Sequence, residues 1–327
     1  MQFKKLPYII LFLLFFAVIL IMSGGCNSSS PGFEYKIDGN NVTIIKYTGE
    51  DSNVKIPDKI KGRQVTVIGE SAFAFCDTII NVTIPDSVTA IEFGAFMNCE
   101  SLESVIIPDS VTLIGDMAFG SCISLKNLTI GSGVTEIGAS AFVNCTALEI
   151  IIIPDNVITI GQYAFAYCTS LKTVKIGDGV TVIGLNAFAG NIELEELAMG
   201  RNVTIIEDYA FMNCRSLKNI IIPDSVTEIG TYAFMNCRSF TSIIIPDNVN
   251  IIGEGAFSAC FLLTDVILGK SVTTISYSAF ESCLALENII IPDSVTEIKD
   301  TAFFLCGSLS DESKEKILNI NPNIIFE

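Results

Sequence analysis

Apolar and polar positions repeat along most of this chain with a period of 23 residues. Alanine precedes each repeated phenylalanine, and cysteine follows three residues later in every unit except one, where Asn191 takes that position. Eleven consecutive units without an insertion predict a stack of coils, in which each unit buries its apolar side chains against its neighbours. The repeated phenylalanines are Phe73, Phe96, Phe119, Phe142, Phe165, Phe188, Phe211, Phe234, Phe257, Phe280 and Phe303.

The unit formed by residues 102–124 shows how each coil is expected to begin. Its side chains alternate in the way that is typical of a half-buried strand, with Leu102, Val105 and Ile107 pointing inward. Pro108 ends this strand because proline has no N–H to donate to a neighbouring strand. The Pro-Asp-Ser sequence that follows favours a tight turn.

The second half of the same unit predicts a return path and a compact corner. Residues 111–115 read as a second short extended segment that crosses the back of the coil. We expect Gly115 to let the backbone turn at its end. Residues 116–122 then form a compact turn or one helical turn, which places Phe119 in the core.

Both ends of the array depart from the repeat. We interpret residues 34–64 as an N-terminal capping repeat and residues 65–309 as the regular units. Ser310 precedes a charged run that includes Ile317, which predicts a short amphipathic helix. Residues 310–327 are therefore expected to form a C-terminal cap that covers the last apolar layer.

The repeated unit resembles a known family. The sequence I-P-D-S-V-T-x-I-G-x-x-A-F-x-x-C-x-S-L recurs almost verbatim at residues 107–125 and 222–240, and this pattern is similar to that of the BspA-like leucine-rich repeat surface proteins. The resemblance covers roughly residues 42–309. It implies a leucine-rich-repeat solenoid, mostly β, with one parallel strand per coil. It also implies adhesion to host matrix proteins, to plasma proteins or to other cells.

Residues 1–25 have the order of a secretory signal peptide. Lys4 and Lys5 form a short positive region, an apolar run follows, and small residues end the segment. The apolar run, residues 9–22, is short for a membrane-spanning helix, which needs about 20 residues. We therefore expect this chain to be exported.

Cys26 follows Gly-Gly directly and resembles the lipobox cysteine of bacterial lipoproteins. The resemblance implies a lipid on Cys26, a linker over residues 26–33, and anchoring at the bacterial cell envelope, on the cell surface. Ser23 departs from the pattern, because the lipobox has an aliphatic residue there. A plain cleaved signal and an uncleaved N-terminal anchor are the alternatives.

Composition argues against several functions. The net charge is −17, which repels the phosphates of nucleic acids. Histidine is absent, so neither a Ser-His-Asp nor a Cys-His arrangement can form within the chain.

Gly131-Ser-Gly and Gly177-Asp-Gly resemble fragments of phosphate-binding loops, but they replace Pro-Asp-Ser and read as turn variants. We predict a protein that is not an enzyme and needs no cofactor; an enzyme with a carboxylate site is an alternative.

The regular cysteine spacing favours a structural role over disulfides. Ten cysteines occupy one position of successive coils, and Asn191 divides them into two runs of five, in which pairing would leave one thiol over. Asparagine in the series indicates that the position needs a small, partly polar group near buried backbone. Metal binding and redox catalysis are the alternatives, but paired C-x-x-C ligands and histidine are both missing.

Aspartates recur in the turns after the first strand of each coil. Carboxylates in a row can hold calcium, but these lack the dense ligand spacing of a dedicated loop. Capping of the turns is the other interpretation. The turn aspartates are Asp86, Asp109, Asp155, Asp224, Asp247 and Asp293.

The outward side chains of the first strands define what we call the front face, which we expect to be the most regular surface. Its first outward position is mostly polar, whereas the second carries isoleucine in four consecutive coils. We call these four the isoleucine column: Ile221, Ile244, Ile267 and Ile290. A contiguous apolar strip often marks an interaction site, so we hypothesise that they bind a protein partner. Strand propensity and repeat duplication are the alternative explanation.

Two functions from different classes follow. The first is a cell-surface, lipid-anchored protein that binds a host matrix or plasma protein in adhesion. The second is a structural or scaffold lipoprotein of the envelope that holds a partner from the same cell. Repeat solenoids commonly serve as binding scaffolds, but the fold alone does not decide between these two.

Overall fold

Each 23-residue unit forms one coil of a β-solenoid. The computed structural model describes residues 27–30 and 32–327. Two columns of short parallel strands run along the stack, and one helix lies near the C-terminus. The predicted fold class is therefore confirmed. The predicted signal peptide and Cys26 lie outside the described residues.

The first column holds the front strands, which pair in register with the coils before and after. They form three separate sheets of four, three and three strands, over residues 53–130, 150–198 and 242–290. The front strands are β4 (Asn53–Lys55), β7 (Asn81–Thr83), β9 (Ser104–Ile107), β11 (Asn127–Ile130), β13 (Ile150–Ile153), β15 (Thr173–Ile176), β17 (Glu196–Ala198), β20 (Ser242–Ile244), β22 (Asp265–Ile267) and β24 (Asn288–Ile290).

The second column forms one continuous sheet on the back of the solenoid, where we predicted the short return segment. We expected the front face to be the most regular surface. The back surface is more regular, because its strand ladder is unbroken from coil to coil. The back strands are β8 (Ala90–Ile91), β10 (Leu113–Ile114), β12 (Glu136–Ile137), β14 (Thr159–Ile160), β16 (Val182–Ile183), β18 (Ile205–Ile206), β19 (Glu228–Ile229), β21 (Ile251–Ile252), β23 (Thr274–Ile275) and β25 (Glu297–Ile298).

Threonine hydroxyls support the continuity of the back sheet. The threonine of the V-T-x-I sequence donates its Oγ1 hydrogen to the carbonyl of the equivalent residue one coil earlier, as in Thr112 to Thr89 at 3.3 Å and Thr135 to Thr112 at 3.1 Å. Each hydroxyl thus adds a hydrogen bond beside the backbone ladder. This role explains why threonine recurs in the sequence at an exposed position.

The core is a stack of phenylalanine rings. From Phe73 to Phe303, the rings of adjacent coils are 4.7–5.5 Å apart between centroids and within 17° of parallel. All eleven side chains are fully buried. Leu102, Val105 and Ile107 are buried as predicted. Each coil therefore completes its core only through its neighbours, which is the expected behaviour of a repeat protein.

The corner that carries the phenylalanine is a turn, and successive turns are hydrogen-bonded to one another. The N–H of Phe96 donates to the carbonyl of Ala118 in the next coil at 2.7 Å, and that of Phe119 donates to Ala141 at the same distance. The residue two positions after the phenylalanine has a positive φ, for example 55° at Asn98. The corners thus add a third ladder to the two strand columns.

The role that we predicted for Gly115 is wrong. Its φ is not among the positive values of the chain, so the turn does not require glycine there. A Cβ on Gly115 would instead lie 2.8 Å from the backbone carbon of Glu92 in the preceding coil. Glycine is needed because two backbones approach closely.

An antiparallel segment covers the first coil. Strands β1 (Asn27–Ser30), β2 (Phe33–Asp38) and β3 (Asn41–Tyr47) are antiparallel neighbours, and β3 pairs in parallel with β6 (Arg63–Ile68), which β5 (Lys59–Ile60) also joins. The Tyr47 ring stacks on Phe73 with a centroid distance of 5.3 Å. This tyrosine therefore ends the phenylalanine stack.

Helix α1 (Asp311–Ile320) covers the last coil, as the charged run at this end predicted. The Ser310 side chain caps its N-terminus by accepting the N–H of Ser313. The Ser313 hydroxyl accepts the N–H of Ile289 in β24 at 3.4 Å, and the Asn321 side chain donates to the carbonyl of Ile298 in β25 at 2.7 Å. In the described part of the chain, no helix is long and apolar enough to cross a membrane.

Candidate interaction surface

The isoleucine column lies on the outside of the solenoid, as we predicted. Ile244, Ile267 and Ile290 are in-register partners in β20, β22 and β24, and their side chains are 63%, 41% and 60% exposed. The buried residues Ile243, Val266 and Ile289 alternate with them and fill the core. Three apolar side chains therefore project outward from adjacent strands, on the side opposite the core.

Ile221 differs from the other three, because residues 219–222 form no strand. Its side chain is 84% exposed. The Asn219 side chain occupies the place of a backbone carbonyl: its Oδ1 accepts the N–H groups of Thr241 and Ser242, both at 3.2 Å. Our expectation of four isoleucines on one uninterrupted sheet was therefore wrong, and the column consists of three strand residues and one that protrudes from a break.

Other exposed isoleucines on the front face stand apart from the column. Ile106 lies in register between Thr83 and Thr129, and Ile152 lies opposite Lys175. Both isoleucines are more than half exposed. They present the same side chain on the same kind of strand, but the paired strands carry threonine or lysine at that position, so these two isoleucines are matched controls for the column.

Three of the six turn aspartates, Asp109, Asp155 and Asp247, cap a turn, and each caps the turn of the following coil. Asp109 accepts the N–H and the hydroxyl of Ser132 in the next coil at 2.6 and 3.0 Å, and Asp247 accepts the N–H of Lys270 at 2.9 Å. Such caps occur where glycine replaces the turn proline of the following coil, as in Gly131-Ser-Gly. This confirms that these glycine sequences are turn variants.

Two carboxyl groups beside the column are held ionised. Hydrogen bonds from Thr264 and Asn288 lower the pKa of Asp265. The backbone N–H and the ammonium group of Lys270 lower the pKa of Asp247. Both side chains are exposed, so this end of the front face carries negative charge at neutral pH.

The repeated cysteines of the described part are free thiols, and their geometry fits the structural interpretation. Each buried thiol donates to the carbonyl of the phenylalanine one coil earlier, over 3.0–3.4 Å. Asn191 makes the same contact, from Nδ2 to the carbonyl of Phe165 at 3.1 Å. The position therefore requires a small hydrogen-bond donor, as the presence of asparagine in the series indicated.

Replacing Asn191 by cysteine is expected to stabilise the protein by about 1 kcal/mol, since a buried polar atom without a partner costs about 1–3 kcal/mol. The Asn191 Oδ1 is buried without a hydrogen-bond partner, and cysteine keeps the donor while removing this acceptor. Urea denaturation followed by circular dichroism measures the change. The reverse substitution, Cys214→Asn, is the control and should destabilise; stabilisation by both or by neither would contradict the explanation.

Stability is expected to fall at alkaline pH. Burial raises the pKa of the Cys168, Cys214 and Cys260 thiols to about 12, from an ordinary value of 9.0. Above about pH 9 the unfolded chain loses thiol protons that the folded chain retains. The stabilisation is thus complete below pH 9 and is lost as the pH rises toward 12.

Urea denaturation at pH 7, 9 and 10 tests this dependence. A variant with alanine at all three cysteines is the control, and its stability should fall less between pH 9 and 10. An equal fall in both proteins would show that other groups cause the loss.

Side chains that could bind a metal ion are not clustered in the described part of the chain. Among residues 27–30 and 32–327, no group of three or more histidine, cysteine or acidic side chains could hold a metal ion. Burial also keeps the thiols of Cys168, Cys214 and Cys260 protonated by raising their pKa, which disfavours nucleophilic chemistry at these residues. The surface chemistry of the front face is therefore the best candidate for function.

Comparisons with known proteins agree with this architecture. The model of the BspA type leucine rich repeat region matches residues 66–195 and 182–310, with six copies. A leucine-rich repeat protein from Bacteroides ovatus is 26% identical, with a TM-score of 0.65 over 92% of this chain and 99% of that one. A leucine rich cell surface protein from Faecalibacterium prausnitzii is 30% identical, with a TM-score of 0.52 over 88% of this chain and 94% of that one.

No curated protein matches the chain. The family model alone covers well over half of its residues, across nearly all of the coils described above. The phenylalanine stack, the cysteine position and all front strands except β4 lie within the matched range. The chain therefore belongs to the BspA-type leucine-rich repeat family.

Proposed function

We propose that this chain is an exported, lipid-anchored protein of the bacterial cell surface that binds a protein partner through its front face, in adhesion. Proteins with leucine-rich repeats commonly act as interaction modules, and the structural neighbour from Faecalibacterium prausnitzii is described as a cell surface protein. A host matrix or plasma protein is the proposed partner. Cys26 is the proposed site of the lipid.

The observation that carries the proposal is the isoleucine column. Its side chains stand on an acidic surface, in consecutive coils, at a place where the core beneath them is already complete. Strand propensity explains a β-branched residue but does not require an apolar one, because threonine and lysine occupy the same position in other coils. An exposed apolar strip of this kind is typical of an interaction site.

The anchor is tested apart from the binding face. Cells that produce the full chain are grown with a radiolabelled fatty acid, and the protein is isolated. We expect label in the natural chain and none in Cys26→Ser, in which the acceptor thiol is lost. Label that persists in the variant would rule out Cys26 as the lipid site.

The binding face is tested with the full chain in a non-ionic detergent, on a panel of immobilised matrix and plasma proteins. We expect saturable binding to at least one of them, and loss of that binding in Ile244→Glu/Ile267→Glu. The matched control is Ile106→Glu/Ile152→Glu, which places the same charges elsewhere on the front face. Equal binding by all three proteins would exclude the isoleucine column, and no binding to any panel member would contradict the proposed partners.

A further inference from the structure

The spacing of the isoleucine column discriminates between shapes of partner. Its members follow the axis of the solenoid, and adjacent parallel strands lie about 4.8 Å apart. An α-helix advances about 5.4 Å per turn, so apolar residues on successive turns nearly match this spacing. Side chains on one face of an extended strand are about 6.6 Å apart and fall out of step after one residue. The column therefore fits a helix that lies along the solenoid axis.

Carboxylates line both sides of the isoleucine column. Asp224, Asp247 and Asp293 follow the column residues by three positions, in the turns, and Asp265 and Glu287 stand near the start of the strands. All five side chains are exposed. A cationic partner would thus find complementary charge beside the column.

The basic residues at this end offset two of these five carboxylates. Lys270 forms an ion pair with Asp247 at 3.2 Å, and Lys316 forms one with Asp293 at 3.6 Å. Within the described residues, Asp224, Asp265 and Glu287 form no ion pair. The remaining outward residues beside the column, Asn219, Ser242 and Asn288, are uncharged. The apolar column is therefore enclosed by a surface of net negative charge.

The same charge disfavours other occupants. A second copy of this chain would bring its own net charge of −17 against the carboxylates. Nucleic acid and anionic lipid surfaces would be repelled in the same way. A polypeptide with an apolar stripe and basic flanks satisfies both the spacing and the charge.

We infer that Ile221, Ile244, Ile267 and Ile290, with the carboxylates beside them, bind a basic amphipathic α-helix of a protein partner that lies along the solenoid axis. This inference rests on the proposed function and narrows its partner class. The apolar residues of such a helix, at positions i, i+4, i+7 and i+11, pack on successive isoleucines. Its lysine or arginine side chains face Asp224, Asp265 and Glu287.

A designed helical peptide tests the inference without knowledge of the natural partner. The probe has leucine at i, i+4, i+7 and i+11, lysine at the flanking positions and a fluorescent label, and its binding to the full chain in detergent is followed by anisotropy. Two further peptides serve as controls: one with the leucines scattered around the helix, and one with glutamate in place of lysine. Detergent alone gives the blank.

We expect the striped basic peptide to bind at least about tenfold more tightly than either control, a difference of about 1.4 kcal/mol. Added salt should weaken its binding because the carboxylates contribute. Ile244→Glu/Ile267→Glu should weaken binding about tenfold or more, and Asp224→Asn/Asp293→Asn should weaken it less. The control Ile106→Glu/Ile152→Glu should change it by less than about twofold.

Equal binding of the striped and scattered peptides, or no binding of either, would overturn the inference. Photo-crosslinking from the peptide to the unsubstituted chain gives a readout that does not depend on the folding of variants, and the crosslinks should fall within residues 219–293. Crosslinks elsewhere would also overturn it. If a panel protein binds through Ile244 and Ile267 while the helical probe fails, the proposed function stands and only the helical partner is rejected.

Discussion

Replacing Phe188 by alanine should lower the free energy of unfolding by about 4 kcal/mol, in the range measured for buried phenylalanines. Its ring stacks on Phe165 and Phe211, with centroids 5.4 Å away on both sides. Alanine would leave a cavity across the middle of the stack, and the backbone ladders on three sides prevent the coils from closing it. Both neighbouring coils would therefore lose packing.

Urea denaturation of the full chain, followed by circular dichroism, measures this effect. The matched control is Phe75→Ala, which removes the same side chain from the surface, where it is 52% exposed. We expect less than about 1 kcal/mol for the control. Equal losses in the two variants would mean that the stack does not determine stability.

Replacing Gly133 by alanine should destabilise the protein by about 3 kcal/mol, the upper part of the range for overpacking. A Cβ at this position would lie 1.9 Å from the carbonyl oxygen of Asp109 in the preceding coil. That oxygen belongs to a backbone held in register on both sides, so it cannot move away alone. The coil boundary would have to separate locally.

Gly120→Ala is the control for this prediction, because the same change there meets no atom closer than 3.4 Å. We expect Gly120→Ala to alter the free energy of unfolding by less than about 1 kcal/mol. Thermal and urea denaturation of both variants give the comparison. A large loss in Gly120→Ala, or none in Gly133→Ala, would contradict the explanation from backbone contact.

Much of this structure could be predicted because the repeat has no insertions. A strict period places equivalent residues above one another, so the phenylalanine stack, the thiol position and the isoleucine column follow from the period and from the alternation of strand side chains. Asn191 was informative for the same reason: a substitution within a regular series shows which property the position requires. That property, a small donor, is what the contact to the Phe165 carbonyl confirms.

What could not be predicted depends on distances between backbones of different coils. The glycine at position 115 reads as a turn residue in the sequence, although a neighbouring backbone requires it. The break at residues 219–222 has no clear signal either, because Asn219 occupies a position where asparagine also occurs within strands, at Asn127 and Asn288. Only the direction of its side chain, toward the next coil, distinguishes it.

The contacts of helix α1 and of Asn321, which follows it, cover the end of the stack. Every coil offers its successor the same unpaired backbone groups, so an uncovered last coil would be a template for the first coil of another molecule. The hydroxyl of Ser313 and the amide of Asn321 occupy groups in β24 and β25 that a further coil would otherwise use. We therefore expect the cap to prevent end-to-end polymerisation into filaments. A change of length would require whole units to be gained or lost between two unchanged caps.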